Sequence, residues 1–66
     1  MAFRKLDKVL RRHGFEPIRQ KGSHIFYRHP DGRGTTSVNH PGKDLPPGLV
    51  RKILADARLD ASALDE

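Results

Sequence analysis

Residues 23–40 read SHIFYRHPDGRGTTSVNH, and the way this stretch pairs with itself decides the fold. Ser23 to His29 is rich in strand-forming side chains, with Ile25, Phe26 and Tyr27 at its centre. Pro30-Asp31-Gly32-Arg33-Gly34 carries the residues that reverse a chain. Thr35 to His40 returns as a partner strand, and Pro41-Gly42 ends it. With His29 set opposite Thr35, His24 falls opposite His40 on one face, their Cβ atoms about 4.5–5.5 Å apart. A slip of one residue would send the two imidazoles to opposite faces, so the register carries chemistry as well as structure.

Working outward, Phe15 to Gln20 reads as a strand, and Lys21-Gly22 as the turn after it. Pro17 cannot donate to a ladder, which predicts an edge position or an irregular start. Before it, Phe3, Leu6, Val9 and Leu10 recur on one face of a helix spanning residues 3–13, and Gly14 suits the left-handed position that stops it. After the hairpin, Pro46-Pro47 can open a helix, and Leu49, Val50, Ile53, Leu54 and Ala57 form the apolar face of a helix over 47–57. Residues 60–66 form a tail that holds at most a short helical turn or frays. The expected fold is α+β, in the order α-β-β-β-α. A three-stranded antiparallel sheet carries both helices on one face of a single domain over residues 1–59. This is the layout of a double-stranded RNA-binding domain, and it leaves the other sheet face open.

A chain of 66 residues buries only about 60% of its unfolded surface, so the core is thin. There is no cysteine to staple it, which favours a reducing cytoplasm over secretion. No apolar run approaches the roughly 18 residues of a membrane span. The first 33 residues hold nine Lys/Arg against three Asp/Glu, and the remainder four against five, giving +6 and −1. A basic half calls for an anionic partner, of which nucleic acid is the commonest.

Histidine suits RNA cleavage. A proton must leave the 2′-hydroxyl as it attacks phosphorus, another must reach the leaving 5′-oxygen, and imidazole titrates in the range for either step. Arg19, Lys21, Arg28 and Lys43 offer charge for a phosphate, and Gly22 lets the backbone approach one. His24 is the expected catalyst, with Ser23 and His40 as possible helpers. The residues also allow plainer roles. His24 can be a half-buried packing residue, Gly22 and Ser23 can serve only the turn, His29 can decorate its turn, and His13 can meet the helix dipole. Ile25, Phe26 and Tyr27 read as core, although alternation turns one of the aromatic rings outward, where it can stack on a base. Four histidines without cysteine do not assemble the three or four ligands that zinc requires, so no metal and no cofactor is expected.

Gly14-Phe15, Gln20-Lys21-Gly22-Ser23-His24, Tyr27-Arg28-His29-Pro30-Asp31-Gly32, His40-Pro41-Gly42-Lys43-Asp44-Leu45, Gly48 and Arg51-Lys52-Ile53-Leu54 together resemble the HicA toxins, also called the YcfA-like family. The resemblance covers residues 3–59. It implies a double-stranded RNA-binding-like fold and a metal-independent endoribonuclease acting on mRNA. It also places the catalytic histidine of the Gly-Ser-His motif at His24, and implies a HicB-type antitoxin that binds the toxin and masks that face. Three departures fall on the second helix: Leu49 where Thr is frequent, Pro46-Pro47 where Lys-Lys is frequent, and Arg58 where a helix-ending Gly is common. A non-glycine residue in the left-handed region costs roughly 1 kcal/mol, so that helix is expected to end differently. Two other functions share the same residues, a non-catalytic RNA-binding module and an adaptor whose basic face meets an acidic protein.

Overall fold

The computed structural model describes residues 1–39 and 43–65. The chain runs α1 (Phe3–Arg12), β1 (Glu16–Lys21), β2 (His24–Arg28), β3 (Gly34–Val38), α2 (Pro47–Asp56) and a 3-10 helix (Ala61–Asp65). The sheet is antiparallel in the order β1-β2-β3. The α-β-β-β-α order expected from the sequence is the order found.

Both helices lie on one face of the sheet. Tyr27 and Thr35 are paired across β2 and β3. Tyr27 Oη donates to Asp7 Oδ1 on α1 at 2.6 Å, and Thr35 Oγ1 donates to the Ile53 carbonyl on α2 at 2.9 Å. The core between the layers is built from Leu6, Leu10, Phe15, Ile25, Tyr27, Leu45, Val50, Ile53, Leu54 and Ala57. Ala63 of the 3-10 helix is also buried, so the tail contributes a docked turn.

Strand β1 stands apart. All six of its residues are exposed, whereas Ile25 and Tyr27 of β2, and Thr35 and Ser37 of β3, are buried. The helices therefore cover the second and third strands and leave the first extending past them. Its register shifts between Pro17 and Arg19, the irregularity that Pro17 announces. Bulges, proline and charge on an edge strand all discourage pairing with another chain.

The helix ends follow one pattern. Phe15 N–H returns to the Leu10 carbonyl at 2.9 Å and Gly14 N–H to that of Arg11 at 3.1 Å. Leu59 N–H returns to Leu54 at 2.8 Å and Arg58 N–H to Ala55 at 3.0 Å. Both are Schellman closures. The left-handed position is Gly14 at φ +90° in the first and Arg58 at φ +57° in the second. The expectation that α2 ends differently for want of glycine is therefore corrected. The backbone hydrogen bonds and the seating of Leu59 against the core hold Arg58 in the strained region.

The β2–β3 register also differs from the expected one. Arg28, not His29, closes the ladder, opposite Gly34. His29 lies just past the ladder but still donates its N–H to the Arg33 carbonyl at 2.8 Å, so Pro30-Asp31-Gly32 forms the loop, with Gly32 at φ +99°. The His29 ring meets the Phe15 ring edge-on at 5.1 Å, and its Nδ1 accepts the Asp31 N–H at 3.1 Å. Gly32 N–H reaches the His29 carbonyl at 2.9 Å, making Pro30 and Asp31 the corners of a β-turn. Arg33 then ties the hairpin to α2, donating from Nη1 to the Ala57 carbonyl at 2.8 Å and lying 5.2 Å over the Phe15 ring.

Candidate functional site

His24 opens β2, directly after a two-residue hairpin loop. Lys21 and His24 pair across β1 and β2, leaving Gly22 and Ser23 as the loop. The expected Lys21-Gly22 turn is thus displaced by one residue, with Lys21 inside the ladder and Ser23 outside it. Gly22 has φ +59° and Ser23 does not share a positive φ, the pattern of a type II′ turn with glycine first. A Cβ on Gly22 would meet nothing within 4 Å, so glycine is required here for conformation and not for room. Gln20 Nε2 donates to the Gly22 carbonyl at 2.9 Å, and Asn39 N–H to the Ser23 carbonyl at 2.8 Å. The loop is therefore held by Gln20 of β1 and by Asn39 just past β3, and His24 is anchored behind it.

The imidazole is not in the core. His24 is exposed, and it belongs to the sheet face that the helices leave uncovered, together with Phe26 and Arg28. Its cross-strand neighbours are Lys21 on β1 and Val38 on β3. The expected opposition of His24 and His40 is replaced by His24 with Val38, because the hairpin closes at Arg28 and Gly34; His40 itself lies outside the described residues. Among the described residues no hydrogen bond or ion pair engages the His24 ring.

Strand alternation assembles the rest of the face. Arg19 pairs with Phe26, and its guanidinium lies 5.4 Å over that ring. Arg28, at the far end of β2, faces Glu16 across β1. Arg19, Lys21, His24 and Arg28 thus share one open surface, with Gly22 and Ser23 at its end. Lys43 is exposed in the segment entering α2, and no described contact brings it to this face. Of the two aromatic rings that could have turned outward, Phe26 is the one that does, and the apolar Ile18, which is 59% exposed, was not among the expected contact residues. The alternation that puts His24 outward also puts Phe26 outward, and Pro17 marks the irregularity beside Ile18.

Two polar groups have shifted titration, and both are structural. Burial first, then the hydrogen bond and charge of Asp7, push the Tyr27 hydroxyl far above its ordinary value, with Arg11 opposing. The Arg33 backbone N–H, opposed in part by desolvation and joined by the Arg33 guanidinium and His29, holds the Asp31 carboxyl below the usual carboxylate range. Among the described residues no group of three or more His, Cys, Asp or Glu could hold a metal ion, and no helix is long and apolar enough to cross a membrane.

What the face offers chemically is cationic charge on two adjacent strands, an accessible imidazole and an aromatic ring. Those parts can bind a phosphodiester chain and carry a proton to or from it. Among curated proteins none matches the chain. A family model described as HicA toxin of bacterial toxin-antitoxin matches residues 3–59, which is nearly the whole chain. The chain belongs to the HicA toxin family.

Proposed function

We propose that this toxin is an endoribonuclease that cleaves mRNA in the cytoplasm, with His24 exchanging protons at the scissile phosphodiester. The observation that carries the reading is the setting of His24, exposed beside Lys21 and on the face that also bears Arg19 and Arg28. The imidazole serves as general base toward the 2′-hydroxyl or general acid toward the 5′-oxygen, a role worth roughly 10²–10⁴ in rate. Lys21 and Arg19 offset charge on the phosphorane oxygens, and the Gly22-Ser23 loop brings backbone toward the phosphate. Ser23 and His40 are helpers to be tested singly. The antitoxin of the pair is a HicB-type protein that covers the same face.

Labelled mRNA incubated with the protein in EDTA, wild type beside His24→Ala, tests the proposal on a denaturing gel. Cleavage by the wild type alone, with unchanged melting temperature in the variant, is the expected result. An intact RNA that remains bound to the wild type would replace the enzyme with a binding module. Binding should also be salt-dependent. For about four phosphates neutralised on a single strand, log K falls with log salt at a slope of about −2.8, and a flat dependence would remove RNA as the ligand.

A further inference from the structure

The open sheet face is not flat. Beside Phe26 lies a concavity of about 370 Å³, within the range of small-molecule sites. Its lining includes Ile18 of β1, Phe26 and Arg28 of β2, and Gly34 and Thr36 of β3, so it crosses the whole sheet. Three features produce it. The bulge between Pro17 and Arg19 brings Ile18, an exposed apolar side chain, to the rim. Gly34 contributes no side chain opposite Arg28. Phe26 supplies an aromatic surface that is only partly buried. Bulges beside functional sites commonly re-aim a side chain in this way.

We propose that this concavity is a nucleobase subsite, which takes one unpaired base of single-stranded RNA on Phe26. The inference rests on RNA as the ligand of this face and not on the proton chemistry of His24. Phe26 is two residues from His24 on the same side of β2, about 7 Å along the strand. A base seated there belongs to a nucleotide next to the phosphate at His24. Arg19, whose guanidinium lies 5.4 Å over the Phe26 ring, does not line the concavity, so the base takes the ring surface that faces the concavity and Arg19 stands beside it to meet a phosphate. Thr36 and Arg28 present hydrogen-bonding groups to the base edge. Asp56, the one carboxylate on the lining, keeps the phosphates toward β1, where Arg19 and Lys21 stand. Stacking requires an unpaired base, so a duplex is excluded from the subsite. An acidic peptide would use the cations and leave the aromatic concavity without a function, which favours a nucleotide over a protein segment.

The test uses the full chain and a mixed-sequence pool of 2′-O-methyl RNA octamers, whose blocked 2′-oxygen prevents cleavage, with inorganic polyphosphate as a ligand that has charge but no bases. Phe26→Leu keeps an apolar side chain while removing the ring. Gly34→Leu fills the concavity from the other wall, at a position where a Cβ meets only ordinary contact. Each should weaken octamer binding about 5- to 150-fold, the range of one lost stacking interaction, with polyphosphate binding and melting temperature unchanged. For the wild type, single abasic substitutions should reproduce the loss, and Phe26→Leu should be insensitive to them. Equal octamer affinity in wild type and both variants overturns the subsite, as does a parallel loss of polyphosphate binding. Variants that lose a purified acidic antitoxin but keep octamers would assign the concavity to protein docking and also overturn it. Cleavage of mRNA by the wild type, with octamer affinity unaffected in both variants, would sink the subsite alone. Phe26-dependent octamer binding without any cleavage would sink the ribonuclease alone.

Discussion

Tyr27 on the sheet and Asp7 on α1 are joined by a hydrogen bond of 2.6 Å, and Arg11 closes the group by donating from Nε to the other oxygen of Asp7 at 3.0 Å. Twenty residues of sequence separate the ring from the carboxylate, so the bond fixes where the first helix crosses the sheet. The phenol is almost wholly buried, while Asp7 keeps contact with solvent.

Removing that hydroxyl by Tyr27→Phe should cost about 1–2 kcal/mol in urea denaturation, near the low end for hydrogen bonds to charged groups because Asp7 retains Arg11. The same bond predicts an alkaline transition. A group whose folded pKa is raised contributes in full below its unfolded value, about 10 for tyrosine, and loses that contribution as pH rises through the folded value. Tyr27 is the only tyrosine and there is no tryptophan, so absorbance at 295 nm reports this group alone. Phenolate should appear only above pH 10 and together with the loss of circular dichroism. Ionisation near pH 10 in a chain that remains folded would contradict the bond.

The two helix ends predict opposite responses to opposite substitutions. Gly14→Ala places a Cβ at φ +90° and 2.7 Å from His29 Nε2, in a ring already held by Phe15 and Asp31. Strain of roughly 1–2 kcal/mol from the backbone is joined by displacement of that ring, for a loss of about 2–3 kcal/mol. Arg58→Gly relieves the same backbone strain and gives back some of it to the entropy of the unfolded chain, a net gain of about 0.5 kcal/mol. Midpoints of urea unfolding at constant slope measure both, and a destabilised Arg58→Gly would mean that the arginine side chain has a role of its own.

Two hydroxyls on the buried side of β3 should separate in the same assay. Thr35 has its partner in the Ile53 carbonyl, which also accepts the Ala57 N–H at 3.1 Å. Thr35→Val therefore loses about 0.5–1.5 kcal/mol of hydrogen bonding without orphaning the carbonyl. Ser37 is fully buried, and its Oγ has no hydrogen-bond partner among the described residues. Ser37→Ala removes an unsatisfied polar atom and should leave stability equal or raise it by about 1 kcal/mol. A marked loss on Ser37→Ala would reveal a partner for that hydroxyl.

The helices were legible because their signals are local. Leu6, Val9 and Leu10 recur at helical spacing, Gly14 stops the turn, and Pro46-Pro47 opens the next. The strands were legible as segments, but alternation alone left open whether Phe26 or Tyr27 faced the core. The register was misread because it depends on the loop: His29 N–H still donates to the Arg33 carbonyl, so Pro30-Asp31-Gly32 alone reverses the chain, with Gly32 at φ +99°. The contact of the His29 ring with Phe15, fourteen positions earlier, was not legible, because only folding joins them. An even shift of two leaves unchanged which β2 and β3 residues share a face, so His24 keeps an even-numbered β3 neighbour, Val38, although the expected partner was incorrect. The concavity beside Phe26 was beyond sequence reading for the same reason. It needs a bulge at Ile18, a missing side chain at Gly34 and a ring at Phe26, drawn from three strands.

Strand β1 lies beyond the helical layer, with every residue exposed and its hydrogen bonds to β2 as its chief restraint. Arg19 and Lys21 are both carried on it. Part of the positive surface around His24 therefore rests on a segment that can detach while the core stays folded, because local opening is cheapest where few apolar contacts are lost. Its amides should exchange with solvent deuterium well before those of Tyr27 and Thr35. A bound polyanion that bridges Arg19 and Lys21 to β2 would slow that exchange, so the ligand would supply to the first strand the cover that the helices do not.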